Sequence, residues 1–253
     1  MEDTSYNAAY AEKSLWGRIR RAYRRKGLGY TATAFFKNPW IYYMKPGIAA
    51  AFFAVIPKKK FLFRGKKYTY LARRYNSTWQ NERAVEIPIA LEAIKSFSGR
   101  RILEVGHVLG HYVPTYHDVI DKYETGPGII NEDAATFHPK ELYDMIISVS
   151  TIEHIGWDEE PKDPESLLRA IKNLKENCLC PGGTLFVTTP FGWNPFLDEC
   201  LASGKLTFDE TYYLKRIGPG RDWTEAVWDE VKGTSYSHRI PTANAIVVGI
   251  IRN

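Results

Sequence analysis

The first residues with legible chemistry are a carboxylate and two glycines, in the run Glu104-Val105-Gly106-His107-Val108-Leu109-Gly110. Glycine lets backbone N–H groups approach a ligand with no Cβ in the way. A phosphate site would want a G-x-G-x-x-G array at a helix start. An acid in the lead instead repels pyrophosphate and suits a cationic ligand. Asp121 follows 17 residues beyond Glu104, at the end of a second apolar run, where a carboxylate can accept from ribose hydroxyls. Asp133 ends a third run within Glu132-Asp133-Ala134, placed to take the exocyclic amine of a purine. A fourth run delivers Ser150, Thr151, Glu153 and His154. Each of these residues alone reads as an ordinary solvated strand end. Acids at successive ends, in order, point to one binding rim.

His154 has the ordinary pKa of a general base near neutrality, and Glu153 beside it is placed to orient it. The bland alternative is a His154 that only pairs with a backbone group. His107 and His111 stand i, i+4, a metal-like spacing, but no HExxH glutamate lies between them and no third ligand stands out, so no metal is expected. Phe191-Gly192-Trp193-Asn194-Pro195-Phe196, with Asp198 and Glu199 soon after, combines aromatic faces with amides and acids. Trp193, Asn194 and Asp198 thus suit a sugar or other polyhydroxyl acceptor, although aromatics in such a run also serve as core.

The elements that position these groups alternate. Arg101–Gly106, His117–Glu124, Gly128–Asp133, Tyr143–Thr151, Gly182–Pro190 and Asn244–Arg252 are apolar runs with strand character. Helical stretches are expected at Asn81–Ser96, with Pro88 near its start or at a kink, and at Pro164–Asn177. Aromatic-rich runs around Arg64-Gly65-Lys66-Lys67 read as a hairpin. Val-, Ile- and Leu-rich strands interleaved with helices imply a buried, mostly parallel sheet. In such sheets ligands bind beyond the carboxyl ends of the strands, where the topology switches.

The pieces ILEVGHVLG, VIDKYE, NEDAATF, YDMIISVSTIEHIG and LCPGGTLFVTTP, together spanning about residues 100–192, resemble the seven-stranded S-adenosylmethionine-dependent methyltransferase superfamily. The resemblance implies an α/β fold: a doubly wound, mostly parallel, seven-stranded Rossmann-like sheet. It implies S-adenosyl-L-methionine as cofactor, with Glu104, Gly106 and Gly110 at its methionine part, Asp121 at the ribose and Asp133 at adenine. Ser150 sits on the same edge, and Glu124 competes for the ribose role. One departure is plain: Val108 stands where the family's loop commonly has its middle glycine. The implied reaction is displacement at a sulfonium methyl, with His154 and Glu153 as the catalytic pair.

Composition bounds the rest. The chain has 253 residues, 44% hydrophobic and 25% charged, which excludes disordered, collagen-like and coiled-coil proteins. Its net charge of +5 is unevenly placed, because residues 1–100 carry 20 Lys/Arg against 6 Asp/Glu. Two parts are expected: a basic, aromatic N-terminal extension at 1–57 and an α/β domain at 58–253. Within the extension, Lys13–Lys26 is amphipathic, and Gly47–Ile56, at ten residues, is too short to cross a bilayer. Residues 13–57 suit an anionic membrane surface. Nucleic acid is a weaker expectation, since no RNA-reading motif accompanies the charge. Three cysteines, with no disulfide framework or secretory leader, suggest a reducing, cytoplasmic setting, peripheral to a membrane. The expected activity is O-methylation of a glycan or lipid-linked sugar. The alternatives are a non-catalytic Rossmann-like binding module and a nucleic-acid methyltransferase using the basic arm.

Overall fold

In a computed structural model of the protein, residues 59–73, 75–217, 222–237 and 242–253 are described. The expected amphipathic stretch Lys13–Lys26, the run to Ile56 and the boundary at 57–58 lie outside them.

A hairpin comes first, β1 (Lys60–Phe63) antiparallel to β2 (Lys66–Thr69). Its two-residue turn has Arg64 and Gly65 at φ 51° and 71°, both left-handed as the twist of a tight hairpin requires. Alternation then puts Phe61 and Phe63 in the core. Helix α1 (Arg83–Lys95) follows with Pro88 inside it. Proline has no N–H, so the carbonyl of Ala84 loses its helical donor. Leu71 N–H takes that place at 2.9 Å, bonding the helix to the segment after the hairpin.

Eight strands form the main sheet: β3 (Ile102–Val105), β4 (Asp118–Ile120), β5 (Ile129–Ile130), β6 (Tyr143–Val149), β7 (Leu179–Pro190), β8 (Glu210–Ile217), β9 (Asp222–Ala226) and β10 (Ala245–Arg252). Their order is β5-β4-β3-β6-β7-β10-β8-β9. The β5, β4, β3, β6 and β7 strands run parallel, whereas β10 lies antiparallel to both β7 and β8, and β9 to β8. The sheet therefore has one strand more than the seven expected. The extra strand is β9, which closes a hairpin with β8 inside a stretch whose alternation is broken by polar residues.

Side-chain alternation divides the core into two layers. Ile146, Leu185 and Val187 face one side, with Leu167, Ala170 and Ile171 of α2 (Ser166–Asn173) and Leu197 of α3 (Pro195–Ser203). Met145, Ile147, Val149 and Phe186 face the other, against the hairpin phenylalanines and Val85, Ile87 and Ile89 of α1. Burial on both faces explains why these strands read as unbroken apolar runs. The topology switches at β3, whose chain-successive neighbour β4 lies on one side and β6 on the other. Pairing of Val105 with both Ile120 and Ser148 brings the carboxyl ends of β3, β4 and β6 level.

Candidate functional site

Glu104, in β3, is fully buried, and its carboxylate is turned onto its own loop. Oε1 accepts from Val108 N at 2.9 Å and Leu109 N at 2.7 Å, while Oε2 lies 2.9 Å from His117 Nε2. A buried acceptor with several donors keeps the turn closed, since each N–H left bare there would cost about 1–3 kcal/mol. Gly106 holds φ 85°, and a Cβ on it would overlap the Thr151 side chain. The loops after β3 and β6 thereby meet as one rim. Gly110 lies under the His107 ring, which a Cβ there would have to displace. Val108, at the glycine position of the resembling loops, packs its side chain against the α1-side core.

Asp121 does similar work after β4. Its Oδ1 accepts from Tyr123 N at 2.9 Å and Glu124 N at 2.7 Å, and its Oδ2 from His107 N at 3.1 Å. Glu124 Oε1 lies 3.0 Å from His107 Nδ1. After β5, Asp133 Oδ1 accepts from Ala135 N, and Oδ2 pairs with Lys122 Nζ at 2.8 Å. Partial burial pushes the Asp133 carboxyl up, but the Lys122 ammonium and the Ala135 N–H outweigh it and hold it below its ordinary value. The loops bearing the expected row Glu104, Asp121 and Asp133 are thus brought to one edge. Much of the acceptor capacity of that row is spent on fixing the loops.

Ser150 ends β6 at φ 40°, a conformation unusual for serine. Its Oγ donates to Glu86 Oε1 at 2.6 Å. Arg83 Nη1 donates to Val149 O at 3.0 Å and pairs with Glu86 Oε2 at 3.1 Å, and its Nη2 donates to Ser150 O. The α1 residues Arg83 and Glu86 are therefore the support of this strand end. Sequence reading gave Glu86 no role, although a charge inside an apolar helical run was the available signal.

Beyond Ser150, Glu153 is 1% exposed and takes a hydrogen bond from Thr189 Oγ1 at 3.2 Å. Burial pushes its carboxyl up to about 7. His154 is less enclosed. Its Nδ1 lies 2.6 Å from Asp158 Oδ2, whereas Nε2 is 3.8 Å from Glu153 Oε1. Burial would lower the imidazole, but the Asp158 hydrogen bond and the Glu153 carboxylate hold it above its ordinary value. Asp158, four residues on, is thus the closer partner of His154.

Trp193 stands edge-to-face on His154, ring centroids 5.1 Å apart, and Tyr236 stands edge-to-face on Trp193 at 4.9 Å. Trp193 and His154 are therefore neighbours. Asn194 is different: it is fully buried, its Oδ1 capping α3 at Phe196 N and Leu197 N and its Nδ2 donating to Glu153 O at 2.8 Å. Its amide oxygen and one amide N–H hold the chain. Asp198 Oδ2 accepts from Gly192 N, while its buried Oδ1 has no hydrogen-bond partner. Burial pushes Asp198 up to about 6.

A rim of carboxylates and a histidine beyond the carboxyl ends of β3, β4, β5 and β6, at the switch point of a doubly wound sheet, places the chain in the Rossmann-like class of α/β folds. No protein-family model and no curated protein matches the sequence. Among solved structures, an S-adenosylmethionine-dependent methyltransferase from Archaeoglobus fulgidus aligns at TM-score 0.44 and 12% identity, over 71% of this chain and 98% of its own. The N-methyltransferase NodS from Bradyrhizobium japonicum, in complex with S-adenosyl-L-homocysteine, aligns at TM-score 0.41 and 13% identity, over 68% and 88%. The sugar N-methyltransferase KedS8 from a Streptoalloteichus species aligns at 0.35 and 16% identity, over 76% and 99%. Among the described residues, no helix is long and apolar enough to cross a membrane.

Proposed function

We propose that the protein is an S-adenosylmethionine-dependent methyltransferase acting on a hydroxyl of a glycan or lipid-linked sugar. The observation that carries this reading is the loop after β3, drawn closed by the buried Glu104 carboxylate and turned at Gly106 beside acids from the two neighbouring strand ends. The set of carboxylate acceptors fits a cationic nucleoside. Asp133, only half-buried, offers carboxylate oxygens for an exocyclic amine, and Asp121, also half-buried at the neighbouring strand end, is the acid for the ribose hydroxyls. Asp121 holds the backbone that presents Glu124.

Bound at this rim, S-adenosylmethionine supplies an already activated sulfonium methyl. The protein's part would then be to hold an acceptor oxygen toward that methyl and to take its proton. His154 suits that task, because Asp158 engages Nδ1 and leaves Nε2 on the other side of the ring. Trp193, beside it, offers an aromatic face for the apolar side of a sugar ring. The basic residues 13–57 would keep the enzyme near an anionic membrane surface at the cytoplasmic face, where a lipid-linked acceptor is found.

Isothermal titration of the full chain with S-adenosylhomocysteine tests the reading. A saturable one-to-one isotherm is expected, and no heat at millimolar ligand overturns it. A second reading, a binding module without transfer, is favoured by the loss of acceptor capacity at Glu104 and Asp121 to backbone N–H groups. It would bind the nucleoside and methylate nothing across a panel of polyhydroxyl acceptors.

A further inference from the structure

We propose that His107, His111 and Glu124 form a three-ligand site for a transition-metal ion of the zinc class, tying the loop after β3 to the loop after β4. Sequence spacing alone gave two histidines and no third ligand. Folding supplies it, because β4 lies next to β3 and carries Glu124 back against the histidine pair. His107 Nδ1 lies 3.0 Å from Glu124 Oε1, and His111 Nε2 lies 3.7 Å from Glu124 Oε2. One ligand atom from each residue falls within 4.8 Å of the other two. Metal–ligand bonds of about 2.0–2.1 Å in a tetrahedron separate ligand atoms by roughly 3.3 Å, so three ligand atoms within 4.8 Å of one another close on an ion by side-chain rotation alone.

The ligands are held ready. The Asp121 carboxylate accepts from the backbone N–H of both His107 and Glu124, so one anchor sets two ligands. Glu104 fixes the turn between the histidines through Val108 and Leu109. Tyr75 stacks on the His111 ring at 4.6 Å and 23°, which limits its rotation. Gly110 leaves the space that the His107 ring occupies. Two imidazoles and one carboxylate suit zinc, nickel or cobalt(II) better than calcium or magnesium, which favour sets of oxygens. Three protein ligands also leave a fourth position for water or an added donor. The other described histidines are placed differently: His117 faces Glu104, His138 faces the Thr136 carbonyl, and His154 faces Asp158.

The test uses the full chain without a histidine tag, stripped with chelator and free of nucleoside, so its result does not depend on the methyltransferase reading. Zinc is titrated in competition with a chromophoric chelator, and cobalt(II) is added separately for its visible spectrum. One equivalent of bound metal is expected, with nitrogen and oxygen donors in X-ray absorption. His111→Gln and Glu124→Gln should each weaken binding at least about tenfold, whereas His138→Gln should bind as wild type. Unchanged affinity in folded His111→Gln or Glu124→Gln protein overturns the proposal, as does the absence of a saturable equivalent in the wild type. Should His111→Gln fail to fold, Glu124→Gln, at a half-exposed loop position, carries the same decision.

Discussion

The guanidinium of Arg83 reaches from the first turn of α1 to the carbonyl of Ser150, 3.2 Å away, at the residue whose φ of 40° ends β6. A non-glycine residue in this region costs on the order of 1–3 kcal/mol and persists only where neighbours over-determine it. Arg83 and Glu86 are those neighbours, and the pair is buried, with side-chain exposures of 13% and 0%. Arg83→Leu would strand the Glu86 carboxylate without its cation and release the Val149 and Ser150 carbonyls. The expected loss is about 3–5 kcal/mol in urea unfolding. Adding Glu86→Leu should recover part of it, because a buried ion pair replaced whole costs less than one broken. A single-variant loss below about 1 kcal/mol would mean that another group sets the Ser150 turn.

Stability should fall with rising pH through the range where Glu153 ionises. Burial raises its folded carboxyl from 4.5 to about 7, so the native state holds a proton that the unfolded chain has already released. The stabilisation is complete below about 4.5 and gone above about 7. His154 acts in the same direction, since its folded value also lies above the ordinary one and its contribution is lost as pH rises through it. Unfolding by urea from pH 5 to 8, a span of on the order of 3 kcal/mol for such a carboxyl, should therefore slope downward in the wild type. Glu153→Gln should be distinctly flatter. Parallel curves would place the titrating group elsewhere.

The strands were legible because β3, β6, β7 and β10 are covered on both faces and so read as continuous Val, Ile and Leu. The edge was less so. In β5, expected over Gly128–Asp133, only Ile129 and Ile130 pair, and in β9 only Trp223 is buried, which left no run to recognise there. Site residues were visible by type, but their partners were not. Glu104 and Asp121 read as ligand groups, yet their acceptors meet backbone N–H groups that sequence does not advertise. Asn194 read as a substrate contact, and its place just before Pro195 was the overlooked sign of a helix cap. Arg83 meets carbonyls 66 and 67 residues away, a distance that only the sheet order closes.

Asn194→Ala should destabilise the protein without altering its sheet. The substitution removes the acceptor for Phe196 N and Leu197 N and the donor to Glu153 O in one step. Loss of a cap alone costs about 0.5–2 kcal/mol, and the unpaired buried carbonyl adds to it. A thermal midpoint several degrees lower is the expected result. Asn194→Asp, which retains the capping oxygen but cannot donate to Glu153 O, should fall between alanine and wild type. Equal midpoints for alanine and wild type would show that α3 starts without this cap.

The pairing of His154 with Asp158 gives the proposed reaction a pH signature. A general base must be neutral, and Asp158 stabilises the imidazolium, so the acidic limb of methyl transfer should lie above the ordinary histidine range. Asp158→Asn removes that stabilisation. The limb should then move to lower pH, while the plateau rate falls because the ring loses its orienting partner. His154→Ala should lower the plateau by about 10²- to 10⁴-fold, the usual contribution of a general base, with S-adenosylhomocysteine affinity retained. An acidic limb that stays in place in Asp158→Asn would assign the titrating group to another residue. The buried Glu153 would then be the first to replace, since its carboxyl, pushed up to about 7, also titrates near neutrality.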